Sequence, residues 1–169
     1  MSPETIFDQA LERYERPLVS YARSITGDLE SARDAVQETF LRLSRQDIAA
    51  LEPRLAPWLF FVCRNCALDH RRKVVRFADG MVEDNVPDSG PSPSEQASSA
   101  EDAIQLRSLV ERLPAQQQEL VKLKFEAGLS YREIGEATRM SVSNVGVQLH
   151  NAIQTLRQQW NRANSPILP

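Results

Sequence analysis

The chain has 169 residues, of which 41% are hydrophobic and 25% are charged, and its formal net charge is −3. These values fit a globular protein of one ordinary or two small domains, and they argue weakly against a simple nucleic-acid coat protein. No apolar run approaches the length of a membrane span, and the start, MSPETIFDQALERYERP, has early acidic residues and no signal-peptide core, so we expect no membrane insertion and a cytoplasmic location.

Helical periodicity dominates the beginning of the chain. Ser2-Pro3 suits a helix start, and apolar residues at three- and four-residue spacing then predict a buried stripe. The stripe consists of Phe7, Leu11, Tyr14, Leu18, Ala22 and Ile25. Gly27 ends this helix, and Asp28 caps a second helix. The outer face of the second helix is polar and mostly charged, which favours simple solvation; it carries Arg33, Asp34, Gln37, Glu38 and Arg42.

Aromatic and basic residues are concentrated between Trp58 and Arg76, a stretch that reads WLFFVCRNCALDHRRKVVR. Its three aromatic residues cannot all face inward on one helix, and several cations follow them. Rings beside cations suit single-stranded nucleic acid, because rings stack on bases while cations follow the backbone. Aromatic residues in a core, followed by a solvated basic helix end, would produce the same composition. Composition leaves both interpretations open.

Cys63 and Cys66 form a C-x-x-C in the middle of this predicted helix. A metal site would need two further ligands at similar spacing, and a redox motif would follow a strand. The chain offers neither, so the pattern favours two buried cysteines on an inner helix face. We therefore expect no metal and no cofactor.

Charge divides the chain into segments. The net charge is −4 over residues 1–53, +5 over 54–77, −7 over 78–105 and +3 over 106–169, which together give −3. Residues 78–103 are dominated by Pro, Ser, Gly and acidic residues, so little there can be buried. We predict that they form a flexible acidic linker between two domains, an arrangement that suits a modular nucleic-acid binder.

The last third of the chain predicts a helix-turn-helix. Ser130 and Glu133 form a capping box that starts a short helix, and Arg139-Met140-Ser141 breaks it. The longer helix that follows carries one apolar stripe, made of Val142, Val145, Leu149, Ile153, Leu156 and Trp160. Two preceding helices complete a four-helix domain: one begins near Ile104, and the other begins at Pro114 with Leu120, Val121 and Phe125 inward.

The outer face of the longer helix is polar but uncharged until Arg157. Its Ser, Asn and Gln side chains can hydrogen-bond base edges in a DNA major groove. The lack of Lys and Arg weakens this interpretation, because attraction to phosphates normally supplies much of the affinity for DNA. Spacing alone leaves open whether the two helices read DNA or only pack together.

Taken in order, these segments resemble the bacterial extracytoplasmic-function sigma factors, small two-domain initiation subunits of RNA polymerase. YERPLVSYARSITGD and ARDAVQETFLRL are similar to the first half of sigma domain two, and PWLFFVCRNCALDHRRK is similar to its promoter-melting half. LPAQQQELVKLKFEAGLSYREIGEATRMSVSNVGVQLHNAIQTLR is similar to sigma domain four. The resemblance covers almost the whole chain. It implies an all-α fold with domain two at 1–77, the linker at 78–103 and domain four at 104–163.

The resemblance also implies roles for individual residues. A face that docks on the clamp helices of the largest polymerase subunit would consist of Asp34, Gln37, Glu38 and Phe40. Melting of the promoter −10 element and capture of an unstacked base would involve Trp58, Phe60, Phe61, Arg64, Asn65, Asp69, Arg71, Arg72 and Lys73. Reading of the duplex −35 element would involve Arg132, Arg139, Ser143, Asn144, Val147, Gln148 and Asn151. The implied partners are core RNA polymerase, promoter DNA and, as is common in the family, an anti-sigma factor; no catalytic residue is implied.

The chain departs from the family pattern at the recognition helix. Family members usually place Lys and Arg there, and this chain has Gly146, Gln148 and Asn151 instead. The turn, often Leu-Gly in the family, is Thr138-Arg139. We therefore expect weaker phosphate contact at the −35 element.

Two other classes of protein remain open at this point. A free-standing helix-turn-helix regulator would bind a palindromic site as a dimer and would never touch polymerase. A redox or metal sensor built on Cys63 and Cys66 would bind zinc or show thiol-dependent activity.

Overall fold

A computed structural model of the protein describes residues 2–77 and 97–166. For residue 77 and residues 97–99 it describes the backbone only. All regular structure in these two ranges is helical, which confirms the predicted all-α fold. Most of the predicted acidic linker, residues 78–96, lies outside the described residues.

Three long helices form the N-terminal group. They are α1 (Pro3–Thr26), α2 (Leu29–Ser44) and α4 (Leu55–Phe77), and α3 (Ile48–Leu51) with a 3-10 turn (Glu52–Arg54) connects the last two. The side chain of Ser2 accepts a hydrogen bond from the Thr5 backbone N–H and so caps α1. Asp28 caps α2 by accepting from the Ser31 N–H at 2.7 Å. Gly27, at φ +88°, supplies the left-handed residue that ends α1.

Helices α1, α2 and α4 of the N-terminal group pack around a shared core. Leu18, Leu43 and Leu59 are among its fully buried side chains. Tyr21 and Phe60 meet edge to face, with ring centroids 5.5 Å apart. Leu11, which periodicity predicts to face inward, is instead exposed at the edge between α1 and α2.

Four helices form the C-terminal group: α5 (Ala97–Glu111), α6 (Ala115–Val121), α7 (Tyr131–Thr138) and α8 (Val142–Asn164). Helix α5 begins at Ala97, before the expected domain start at residue 104. A π-helical turn (Lys122–Glu126) extends α6, and Gly128, at φ +72°, lets the chain turn toward α7.

The prediction that Phe125 faces inward is wrong, because its side chain is 63% exposed. The π-helical turn is the physical reason. The Ala127 N–H donates to the Lys122 carbonyl at 3.1 Å, a five-residue hydrogen bond that shifts the following positions around the helix axis. Leu123, within the same turn, is fully buried.

The N-terminal and C-terminal groups share one continuous hydrophobic cluster, with α4 packed against α7. Among the described helices, none is both long and apolar enough to cross a membrane.

Candidate nucleic-acid and protein interfaces

Side-chain caps begin both helices of the helix-turn-helix, and the sequence predicts the first of them. Ser130 Oγ accepts from the Glu133 N–H at 3.2 Å, and Glu133 Oε2 accepts from the Ser130 N–H at 3.3 Å, which completes the capping box. Ser141 caps α8 by accepting from the Asn144 N–H at 3.1 Å. The two short caps fix where α7 and α8 begin and therefore how the turn joins them.

The turn between α7 and α8 depends on Gly135 and Arg139. The Met140 N–H donates to the Gly135 carbonyl at 3.1 Å, and a Cβ added to Gly135 would lie 2.8 Å from the Met140 carbonyl oxygen. Only glycine therefore fits this close approach. Arg139 ends α7 in the left-handed conformation, at φ 59°, a conformation that helix ends more often give to glycine.

Helix α8 has one buried face and one exposed face. Val145 and Leu149 are buried, as the apolar stripe predicts, whereas Ile153, Leu156 and Trp160 of the stripe are half-buried. Ala152, which the stripe does not include, is also buried. Val142, also assigned to the stripe, is exposed at the first position of the helix. The exposed face carries four of the predicted −35 residues, namely Ser143, Asn144, Val147 and Asn151.

The other predicted −35 residues are partly engaged within the protein. Gln148 is half-buried, and its side-chain oxygen accepts from Gln117 Nε2 at 3.4 Å. Arg132 is exposed and lies 3.8 Å from a carboxylate oxygen of Glu136 on the same helix. The Arg139 guanidinium lies 4.8 Å from the centroid of the Phe61 ring on α4.

The aromatic start of α4 is divided between the core and the contact with the C-terminal group. Phe60 is fully buried, so neither face of its ring is open to a base in this structure. Trp58 and Phe61 are half-buried and pack against the edge of the hydrophobic cluster. Sequence periodicity misses this arrangement because part of the protein surface that covers these rings comes from a helix distant in the chain.

The basic end of α4 is exposed to solvent. Arg71, Arg72 and Lys73 are all exposed, and Arg72 lies 3.6 Å from Asp69 one turn earlier. Val74 and Val75 are also exposed between these cations and the end of the helix. The cations together form a surface that can attract a phosphate backbone. Asn65, at the middle of the helix, is half-buried.

Arg64 differs from the other predicted −10 cations because it is paired with a residue of the C-terminal group. Its Nε donates to Glu119 Oε1 at 2.6 Å, and the Tyr21 hydroxyl donates to the same oxygen. Burial lowers the pKa of Arg64, but the hydrogen bond and charge of Glu119 outweigh it, so the pKa is raised overall. Burial and the neighbouring Glu119 raise the pKa of Tyr21. The raised pKa values keep the Arg64 guanidinium charged and the Tyr21 hydroxyl protonated, as donors in this contact.

Two further polar contacts join the groups of helices. Ser20 Oγ donates to Glu126 Oε2 at 3.0 Å, and Arg54 lies 3.3 Å from a carboxylate oxygen of Glu136. Sequence reasoning missed these contacts, because the residues are separated by the linker and look like ordinary surface charges.

The predicted docking face lies on α2. Asp34 and Gln37 are exposed, and Glu38 is half-buried and paired with Arg42 at 3.0 Å. Phe40 is buried, with its ring centroid 6.1 Å from that of Phe7. Beside this face, a groove of about 440 Å³ runs between α1 and α2, and it is lined by Phe7, Leu11, Glu15, Val19, Arg33, Val36, Gln37, Phe40, Leu41 and Ser44.

The two cysteines are buried and free, as the sequence predicts. Burial raises the pKa of Cys63 to about 12 and also raises the pKa of Cys66. Thiols in this state are poor nucleophiles and poor metal ligands. No group of three or more potential metal-ligating side chains occurs within residues 2–77 and 97–166.

Comparison with known proteins identifies two matching family descriptions. Residues 10–77 match "Sigma-70 region 2", and residues 103–156 match "Sigma-70, region 4". The ECF RNA polymerase sigma factor SigL of Mycobacterium tuberculosis (strain ATCC 25618 / H37Rv) is 30% identical over 146 residues, which cover 81% of this chain and 78% of the relative. The ECF RNA polymerase sigma factor SigM of Bacillus subtilis (strain 168) is 28% identical over 158 residues, covering 92% and 95%.

A solved structure has a similar fold. It is described as "Structure of CnrH in complex with the cytosolic domain of CnrY", and the matched chain gives a TM-score of 0.61 at 21% identity. The match covers 94% of this chain and 89% of the other.

Proposed function

This chain belongs to the ECF sigma factors of RNA polymerase, and we propose that it starts transcription by joining core polymerase to a promoter through three surfaces. Helix α2 docks on polymerase, α4 binds the single-stranded −10 element, and α8 reads the duplex −35 element. The observation that carries the proposal is that the two matched sigma regions coincide with the exposed polar face of α8 and the exposed basic end of α4. Residues 1–77 and 104–163 then serve as sigma domains two and four, joined by the acidic linker 78–103.

At the −35 element, α8 lies in the major groove with its exposed face toward the bases. Asn144 and Asn151 suit adenine, which offers a donor and an acceptor on its major-groove edge. Val147 suits a thymine methyl group. Arg132 supplies a phosphate contact from α7, since its side chain is largely exposed.

At the −10 element, α4 holds a separated strand. Trp58 and Phe61 provide ring surface for unstacked bases, and Arg71, Arg72 and Lys73 follow the backbone. Phe60 supports these rings from the core. Binding favours the separated strand because stacking on the rings and ion pairing with the cations offset the cost of unstacking and unpairing a few bases.

Polymerase docking uses the α2 face and the adjacent groove. Asp34 and Glu38 give the face a negative edge, and the exposed Leu41 gives it an apolar part. A mixed surface of this kind suits a partner helix with basic and apolar residues. Tethering two modest DNA-binding modules to one polymerase raises the overall affinity without new contacts.

We propose that the chain has no catalytic activity of its own and acts in the cytoplasm, where bacterial polymerase works. An anti-sigma factor is a further proposed partner. The similar chain in the CnrH structure is in complex with the cytosolic domain of another protein, which supports this proposal.

Co-elution with bacterial core RNA polymerase on a sizing column tests the docking face. We expect the wild-type chain to co-elute with polymerase and the Asp34→Arg, Glu38→Arg double variant to elute separately, because both negative charges are reversed. Asp8→Arg with Glu12→Arg is the matched control: it makes the same charge change at the same spacing on the exposed side of α1, and it should still co-elute.

Each outcome separates one part of the proposal from the rest. Co-elution of the α2 variant would contradict the docking face while leaving the chain a sigma factor. Failure of the folded wild-type chain to bind matched polymerase would favour a stand-alone DNA-binding regulator.

A further inference from the structure

The helix-turn-helix carries no net charge as a unit. Residues 130–156 contain two arginines and two glutamates, so their formal charge is zero with histidine neutral. Arg139 lies against an aromatic ring of α4, and Glu133 is held in the capping box. Arg132 is therefore the arginine of this unit that is placed to reach a DNA phosphate, and its immediate surroundings decide how it does so.

Arg132 lies beside a carboxylate that is held in place from its other side. Arg132 Nε is 3.8 Å from Glu136 Oε1, one turn further along α7. The second oxygen of the same carboxylate, Oε2, accepts from Arg54 Nε at 3.4 Å and from Arg54 Nη2 at 3.3 Å. The Glu136 side chain is 31% exposed, against 85% for Arg132. A largely exposed arginine is thus paired with a carboxylate that a second arginine fixes in position.

The pairing leaves most of the Arg132 guanidinium available to DNA. An arginine side chain has five N–H donors, of which Nε carries one. Because Arg132 faces Glu136 through Nε, its terminal N–H groups can still donate to a phosphate oxygen. The reach of the side chain is restricted, since moving away from Glu136 would break the ion pair. An exposed pair of this kind is weak, so it biases the direction of Arg132 and does not lock it.

We propose that Glu136 is a positioning residue for duplex recognition. It holds Arg132 along α7, so that the guanidinium meets a phosphate when α8 is seated in its preferred register on the duplex and does not reach the phosphates in other registers. Arg54 contributes by fixing Glu136. The inference rests on the proposed function, because it assumes that α8 reads duplex DNA.

This restraint favours the preferred sequence over other DNA. Phosphate contacts carry no sequence information, and they supply essentially all of the affinity for non-specific DNA. An unrestrained arginine would find a phosphate in every register and would add to that non-specific affinity. Selectivity is a difference between two affinities, so a restraint that withholds a contact from the wrong duplex raises it. The single contact matters in this chain because the outer face of α8 adds no Lys or Arg before Arg157.

Glu136→Gln tests the restraint, because it keeps the shape of the side chain and removes the charge that holds Arg132. Glu111→Gln is the matched control, since it makes the same charge change on the exposed end of α5. The preferred duplex is first obtained by selecting binders to the full-length wild-type chain from a library of random-sequence duplexes. Fluorescence anisotropy at several salt concentrations then measures the affinity of each chain for the preferred duplex and for the unselected library.

We expect Glu136→Gln to steepen the slope of log affinity against log salt by about one unit for the unselected library, because one phosphate contact is gained. The slope for the preferred duplex should stay unchanged, because Arg132 makes its contact there in both chains. The ratio of preferred to unselected affinity therefore falls at low salt. Glu111→Gln should change neither slope, and Glu136→Gln should have no effect in a chain that also carries Arg132→Gln.

Equal steepening for both kinds of duplex would overturn the proposal, because the change in total charge would then explain it, and so would two unchanged slopes. If circular dichroism reports that Glu136→Gln is unfolded, Arg54→Gln replaces it. This substitution removes the fixing contact from an exposed turn and should also lower the affinity ratio. An unchanged ratio in that variant would count against the proposal in the same way.

The selection step distinguishes failure of this proposal from failure of the proposed function. A wild-type chain that enriches no duplex sequence would contradict duplex reading by α8, and with it the proposed function. A wild-type chain that enriches a sequence, and whose affinity ratio is the same in Glu136→Gln, would keep the proposed function and remove the positioning role of Glu136.

Discussion

Gly135 and Gly146 lie in the same helix-turn-helix but have different structural roles. A Cβ at Gly135 would come within 2.8 Å of the Met140 backbone oxygen, which cannot move without opening the turn. A Cβ at Gly146 would meet the Tyr131 ring at 3.7 Å, an ordinary contact distance. The identity of residue 135 is therefore set by the turn, while glycine at 146 only weakens α8.

Alanine at the two positions should change stability in opposite directions. We expect Gly135→Ala to lower the free energy of unfolding by about 1–3 kcal/mol through overpacking. Gly146→Ala should raise it by up to about 1 kcal/mol, the usual helix preference for alanine over glycine. Urea unfolding followed by circular dichroism measures both, and each variant controls for the other. A stable Gly135→Ala chain would contradict the tight approach in the turn.

The buried thiols predict a second residue-scale effect. Burial raises the pKa of Cys63 from its ordinary value near 9 to about 12, so the folded chain keeps the neutral thiol where the unfolded chain ionises. The unfolded state then binds fewer protons, and this contribution to stability falls as pH rises from about 9 toward 12.

We also expect iodoacetamide to react slowly with native Cys63 and Cys66 at pH 8 and rapidly in denaturant. Rapid native labelling would reopen the redox-sensor hypothesis.

At the scale of helices, the sequence predicts elements well where local chemistry decides them. The capping box at Ser130 and the burial of Val145 and Leu149 on α8 depend on nearby residues, and the sequence predicts them correctly. Phe125 is mispredicted because the π-helical turn changes the spacing, and no local pattern indicates that turn. Leu11 is mispredicted because the three-residue and four-residue spacing does not specify how far the next helix extends over it.

The uncharged outer face of α8 predicts an unusual salt dependence of duplex binding. Two missing phosphate contacts should flatten the slope of log affinity against log salt by about two units relative to a basic helix-turn-helix. Asn151→Lys should steepen the slope by about one unit, because it adds one phosphate contact. Gln46→Lys, an exposed residue between α2 and α3, makes the same charge change as a control. Duplex titrations at several salt concentrations measure the slope, and a wild-type slope equal to that of a basic helix-turn-helix would contradict the prediction.

At the scale of the whole molecule, the two groups of helices are joined by contacts that no segment of sequence predicts by itself. Glu119 and Arg64 are 55 residues apart, and each looks like a common surface charge. The packing of the C-terminal group on α4 places Glu119 of α6 beside Arg64, and Trp58 and Phe61 are half-buried at the edge of the shared cluster. Domain order and helix type follow from local patterns, whereas the relative placement of the groups depends on long-range complementarity.

Arg64 contacts Glu119 in this structure and lies on the helix proposed to bind the promoter strand. A substitution at position 64 would therefore alter both the proposed strand contact and the ion pair that joins the two groups of helices. Glu119 has no proposed contact with DNA, yet its charge complements that of Arg64. Libraries that randomise only the DNA-facing residues will therefore leave Glu119 facing a side chain that no longer complements it.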